Sequence, residues 1–69
     1  MFTEEQIETD PILKFFGFEH LPPKMQIYSE PFAQLAGHIV RNYPRNAERT
    51  VALRKLLEAK DAAVRTAVP

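Results

Sequence analysis

Two basic side chains interrupt an otherwise apolar pattern in the last third of the chain. When the stretch "PRNAERTVALRKLLEAKDAAVRTAV" is placed on a helix at about 100° per residue, Arg49 and Lys60 project into the apolar arc. Charges on such a face need partners, because burying an unpaired charge is costly. Two interpretations stay open. In the first, Arg49 reaches solvent at the helix end and Lys60 pairs with an acidic residue of another subunit. In the second, both cations join others around an acidic ligand, since arginine grips phosphate oxygens in pairs.

A second group of candidates lies in "GFEHLPPKMQIYSEPF", which spans residues 17–32. Flat rings near its Pro-Pro step could stack nucleobases without regard to sequence. The rings are those of Phe18, His20 and Tyr28. Aromatic residues are more often core residues, so we expect Phe18 and Phe32 to be buried. Lys24 and Ser29 are the polar residues of this segment that we expect to remain accessible.

No catalytic constellation is evident in the sequence. The chain has no cysteine, one serine, two histidines and no glycine-rich phosphate loop. His20 and His38 are far apart, and two histidines without cysteine do not form a zinc cluster. We therefore expect no enzyme activity, no cofactor and no metal, with His38 structural or facing solvent.

The element that precedes these candidates is a short N-terminal helix. In "DPILKFFG", Asp10 is a typical N-cap, Pro11 fits a first turn and Gly17 is a typical helix end. Its apolar residues are expected to dock on a hydrophobic surface of this chain or of a second copy. They are Ile12, Leu13, Phe15 and Phe16. Residues 1–17 thus form an arm, and the part before Asp10 is predicted to be disordered or weakly helical.

The Pro-Pro step predicts an extended segment over residues 18–28, since proline fixes φ and pushes its predecessor out of the helical region. A helix is predicted over residues 29–43, with Ser29 as N-cap and Pro31 in the first turn. A single helix that begins near Met25 and kinks at Pro31 is the alternative. Apolar residues recur at spacings of three and four in this region. They are Met25, Tyr28, Phe32, Leu35, Ile39 and Tyr43.

The last helix is predicted over residues 46–67, with Asn46 as cap and Glu48 at its positive end. Two helices joined by so short a turn normally lie antiparallel. The sequence therefore predicts one all-α domain over residues 1–69, an antiparallel helical hairpin with an N-terminal arm. A lone core of this size is marginal and no disulfide is possible, so we expect a homo-oligomer.

Composition and charge narrow the class of protein. The chain carries no net charge, yet residues 1–40 hold two Lys against six Asp and Glu, while residues 41–69 hold seven Lys and Arg against three. Such asymmetry favours an anion site or contact between subunits and disfavours a general binder of duplex DNA. No apolar run has the length of a membrane span, and the acidic N-terminus does not resemble a targeting signal. A cytosolic location is expected.

A family resemblance emerges from the order of three motifs. "FEHLPP" precedes a helix with "FAQLA", and "PRNAERTVALRKLLEAKDAAVR" follows. Over roughly residues 18–65 the chain resembles the helical-hairpin domain of phage sponges that sequester the cyclic oligonucleotides of bacterial CBASS immunity. The helix start matches best, at Pro44, Asn46, Glu48, Arg49, Thr50, Ala52, Leu56 and Ala59. The family generally has an Ile-Arg pair where this chain has Tyr28-Ser29, and "DPILKFFG" has no counterpart there.

The resemblance implies a phage protein that acts in the cytoplasm of the infected bacterial host. It implies a homo-oligomer, often a hexamer, that evades immunity by binding cyclic di- or trinucleotides between subunits without cleaving them. Together with the residue patterns, it gives the candidate ligand-binding set. The set is His20, Pro22, Lys24, Tyr28, Ser29, Arg49, Thr50 and Lys60.

Two other function classes remain open at this stage. In the first, the chain is a protein-interaction module that engages a host or phage protein through an exposed apolar arm with Ile12, Phe15 and Phe16. In the second, it is an accessory protein that binds nucleic acid. Light scattering separates the interaction module from a sponge. A stable monomer with an exposed apolar face favours the module, and a closed hexamer favours the sponge.

Overall fold

The computed structural model describes residues 2–68 of the 69-residue chain. Three α-helices and one 3₁₀ helix follow one another. They are α1 (Glu4–Thr9), the 3₁₀ helix (Pro11–Phe16), α2 (Pro23–Asn42) and α3 (Ala47–Arg65). No strand occurs between residues 2 and 68, so the predicted all-α class is confirmed.

Helices α2 and α3 form an antiparallel hairpin. Near the turn, the Arg49 guanidinium of α3 donates to the backbone oxygens of Val40 and Tyr43, each at 3.4 Å. At the other end of the hairpin, Lys60 of α3 lines the same cavity as Ser29 of α2. Residue numbers therefore run in opposite directions along the two helices, as the short connection over residues 43–46 predicts.

The predicted extended segment over residues 18–28 is wrong for most of its length, because the chain turns at Glu19 and His20, where the Leu21 N–H donates to the Phe18 oxygen at 3.0 Å, and α2 begins at Pro23. Pro22 is extended, with φ −55° and ψ 147°, and Pro23 takes the first helical position. Proline suits that position because no intrahelical bond needs its missing N–H. Pro31 lies inside the helix at an exposed position and removes one backbone hydrogen bond. The observed helix is thus the alternative that continues through Pro31, and Ser29 is not an N-cap.

The helix caps agree with the sequence only in part. Asn46 caps α3 as predicted, since its side-chain oxygen accepts from the Arg49 N–H at 2.9 Å. Asp10 occupies the predicted N-cap position of the 3₁₀ helix, but its side chain makes no capping hydrogen bond. Residues before Asp10 form α1, which begins with reciprocal hydrogen bonds between Thr3 and Gln6. Helix α3 ends at Arg65, two residues before the predicted end.

Small residues of α2 face the core, so the predicted apolar line describes the buried face only in part, at Ile39 and Phe32. Leu35 and Tyr43 belong to that line but are exposed. The buried residues of α2 are Ser29, Ala33, Ala36, Gly37 and Ile39. Their small side chains leave room for bulkier groups from the rest of the chain. The core also contains Leu13, Phe16, Phe18, Leu53 and Leu57.

The N-terminal arm belongs to this core. Leu13 and Phe16 are fully buried, and Ile12 packs against the core cluster. Phe18 is buried as predicted, while Phe32 is half-buried and packs against the same cluster. The arm therefore docks on its own chain, and Phe15, which is 54% exposed, is the one large apolar side chain of the 3₁₀ helix that remains well exposed.

Candidate ligand-binding site

A cavity of about 280 Å³ lies where the 3₁₀ helix, the loop after it and both long helices meet. Its lining combines basic, apolar and hydroxyl-bearing side chains. The lining residues are Lys14, Phe15, Gly17, His20, Leu21, Ser29, Lys60 and Val64. Three members of the predicted ligand-binding set, His20, Ser29 and Lys60, therefore share one cavity although they are far apart in sequence.

Three basic side chains reach this cavity from three different segments. Lys14 comes from the 3₁₀ helix, His20 from the loop and Lys60 from α3. The Lys14 ammonium lies 5.3 Å from the centroid of the Phe15 ring, within the range of a cation–π contact. Lys60 Nζ lies 3.0 Å from Asp61 Oδ1, and its side chain is only 14% exposed. An ammonium has three donors, so this single ion pair leaves others for a ligand.

Acidic side chains lie beside the cavity but do not line it. Asp61 pairs with Lys60 and is about half exposed. Glu19 adjoins His20 in the loop, where backbone N–H groups of Glu19 and Phe18 donate to its carboxylate and lower the pKa of that carboxyl group. Glu19 is therefore ionised at neutral pH. The wall of the cavity is basic, and the compensating charges lie around its edge.

Ser29 is the most deeply placed polar residue of the cavity. Only 1% of the residue is exposed, which contradicts the expectation that it stays accessible. Its Oγ has no hydrogen-bond partner among the described residues. The expectation failed because it assumed that a helix begins at Ser29, whereas Ser29 lies in the second turn of α2 and faces inward.

Arg49 lies elsewhere and has its partners inside the chain. The residue is 8% exposed, and its guanidinium donates to Asp10 Oδ2 at 2.6 Å as well as to the two carbonyl groups at the end of α2. The interpretation in which Arg49 reaches solvent is therefore wrong. Lys60 likewise has an acidic partner within this chain. The structure does not bring Arg49 into the cavity that holds Lys60.

The remaining predicted residues also lie outside this cavity. Thr50 is exposed, donates weakly to the Asn46 oxygen at 3.4 Å and lines a separate cavity near Arg54. Pro22 and Lys24 are exposed at the start of α2, and Tyr28 is half-buried. His38 is exposed as expected, with an edge-on contact to the Tyr43 ring.

Sequence reasoning missed Lys14. It is the only Lys or Arg before Lys24, and it stands within the apolar run "ILKFF". A single cation within an apolar segment indicates a partner or a ligand, because burying an unpaired charge is costly. Leu21 and Val64, which supply apolar wall, carry no such signal in the sequence.

The arrangement is suited to holding an anionic organic molecule. Cations can neutralise phosphate groups, while Phe15, Leu21 and Val64 offer apolar surface to a ring. Over residues 2–68 no group of three or more His, Asp and Glu side chains could hold a metal ion. In the same part of the chain, none of the helices combines the length and the apolar character needed to cross a membrane.

In comparisons with protein-family models, curated proteins and solved structures, nothing matches this chain.

Proposed function

We propose that this chain binds cyclic di- or trinucleotides without cleaving them and so lowers their free concentration. It acts as a phage-encoded sponge in the cytoplasm of an infected bacterium. The observation that carries the proposal is the cavity in which Lys14, His20 and Lys60 converge beside apolar walls. Lys14 and Lys60 neutralise ligand phosphates, and the apolar side chains hold a base.

The size of the cavity supports sharing of the ligand between copies. Pockets for small molecules usually measure about 300–1,000 Å³ and bury most of the ligand surface. A cavity of about 280 Å³ is just below that range, whereas a cyclic dinucleotide carries two bases, two sugars and two phosphates. One chain thus encloses part of the ligand, and a second copy covers the rest. The proposal therefore includes a homo-oligomer, with a hexamer as the expected form.

Calorimetric titration of the purified protein with a panel of cyclic di- and trinucleotides tests the proposal. Linear dinucleotides of the same bases serve as ligand controls. Saturable binding of at least one cyclic member, with the ligand recovered intact, is the expected result. Absence of heat with every member would end the sponge hypothesis.

Matched lysine variants locate the site. Lys60→Ala removes an ammonium from the cavity wall and is expected to weaken binding about tenfold or more, as for loss of one charged hydrogen bond. Lys55→Ala is the control, since Lys55 is on the same helix, is 72% exposed and pairs with Glu58. Equal affinity of the two variants would place the ligand elsewhere.

A further inference from the structure

The hydroxyl group of Ser29 is unusual within this fold. Ser29 is the one residue lining the basic cavity that is fully buried, and its Oγ has no hydrogen-bond partner among residues 2–68. A serine inside a helix commonly donates to the carbonyl group four residues earlier, which here belongs to Met25. Leaving a buried hydroxyl without any partner destabilises a folded protein. The Ser29 hydroxyl group therefore does not stabilise the fold of the free chain.

We infer that Ser29 Oγ donates a hydrogen bond to a non-bridging phosphate oxygen of the bound ligand, next to the ammonium group of Lys60. The neighbouring polar groups of the cavity, on Lys14, His20 and Lys60, are mainly donors. The ligand atom that best accepts from several donors at once is a phosphate oxygen. A base edge would instead present donors and acceptors of mixed kind. The inner part of the cavity is thus a phosphate subsite, and Ser29 determines its preference for phosphate.

This inference rests on the proposed function for the identity of the whole ligand, but the subsite can be probed alone. Inorganic pyrophosphate carries the phosphate oxygens without base or sugar. We expect it to perturb the backbone resonances of Ser29 and Lys60 in ¹H–¹⁵N spectra of the full chain at millimolar concentration.

If the Ser29 hydroxyl binds the ligand, its removal should change the melting temperature and the ligand affinity in opposite ways to the removal of a structural hydroxyl. Ser29→Ala removes the unpaired group, so the free protein should melt at the same temperature or higher. The same change should weaken binding of pyrophosphate and of any cyclic nucleotide by about ten- to a hundredfold, as expected for a hydrogen bond to a charged acceptor. A purely structural hydroxyl would lower the melting temperature and leave the affinity of the folded protein unchanged.

The experiment compares Ser29→Ala and Ser29→Cys with the wild-type chain, by thermal melting and by ligand titration. Cysteine keeps the side-chain shape with a slightly larger atom in place of the oxygen, and its thiol is a weak donor, so it should also lose affinity. Thr66→Ala is the control, because the exposed Thr66 hydroxyl donates to the Ala63 oxygen near the end of α3. It should bind as tightly as the wild type.

The outcomes separate the two proposals. If pyrophosphate binds and no cyclic nucleotide does, the sponge function fails and the phosphate subsite stands. If cyclic nucleotides bind wild type and Ser29→Ala equally well, the inference about Ser29 is wrong and the sponge function stands. If neither probe perturbs Ser29 and Lys60, the subsite is refuted.

Discussion

At the scale of single residues, Arg49 joins three parts of the chain. Its guanidinium donates to Asp10 of the arm and to the carbonyl groups of Val40 and Tyr43 at the end of α2, while its backbone N–H binds Asn46. These contacts satisfy a buried cation and helix-terminal carbonyl groups at the same time. Arg49 therefore connects the N-terminal arm, through Asp10, to the end of α2 and the turn of the hairpin.

Arg49→Ala should destabilise the free protein by about 3 kcal/mol, because it leaves the Asp10 carboxylate, which is only 12% exposed, without its partner. Urea unfolding followed by circular dichroism measures the change. Arg54→Ala is the control, since Arg54 is exposed on the same helix and forms no ion pair within residues 2–68. An Arg49→Ala protein as stable as the control, yet unable to bind ligand, would instead make Arg49 a ligand residue.

The candidate site could be predicted from the sequence only in part. The pattern of α3 shows that Arg49 and Lys60 need partners, but nothing local shows that Asp10, 39 residues away, is the partner of Arg49. Likewise, Ser29 two residues before Pro31 is a good local helix start. The Pro22-Pro23 step competes for the same role, and the structure shows that it prevails. The choice depends on tertiary packing, which local rules do not contain.

At the scale of elements, α2 is long because it passes through Pro31. The carbonyl group of Ile27 lacks its usual donor there, yet the position is exposed and water can reach it. The sequence predicted the presence and order of the hairpin helices and the cap of α3 correctly. The predicted start of α2 is wrong, and its buried face was predicted only in part, because small residues such as Ala33 and Gly37 carry little apolar signal.

Pro31→Ala should stabilise the protein by about 1–3 kcal/mol. The change restores a helical hydrogen bond and a good helix former, which outweighs the greater freedom of the unfolded chain. Thermal melting with Gln34→Ala, an exposed neighbour on the same helix, as control is the suitable measurement. A lower melting temperature for Pro31→Ala alone would mean that proline sets the local shape of α2.

At the scale of the whole molecule, the chain combines a small core with apolar side chains left in solvent. Ile27 is 68% exposed and Leu35 is 46% exposed, eight residues apart on α2. A 69-residue domain has little surplus stability, so covering such residues in an oligomer is favourable. We expect α2 to contribute to contacts between subunits.

The family resemblance implies a hexamer, so analytical ultracentrifugation should give an assembly near six times the 7.9-kDa chain mass. Ile27→Glu should shift it to smaller species, because a buried carboxylate opposes association. Ala47→Glu introduces the same charge at an exposed position at the start of α3, away from Ile27 and Leu35, and should leave the mass unchanged. A wild-type protein that stays monomeric at all concentrations would contradict the oligomer.

We expect a cyclic oligonucleotide to bind in the basic cavity formed by the 3₁₀ helix, the loop and the two long helices. The most direct test is a ¹H–¹⁵N titration of the wild-type chain with the cyclic nucleotide that gives the largest calorimetric signal. We expect the largest shifts on His20, Ser29 and Lys60, with little change around Arg49. Shifts centred on residues 43–54, or no shift with any cyclic nucleotide, would contradict it.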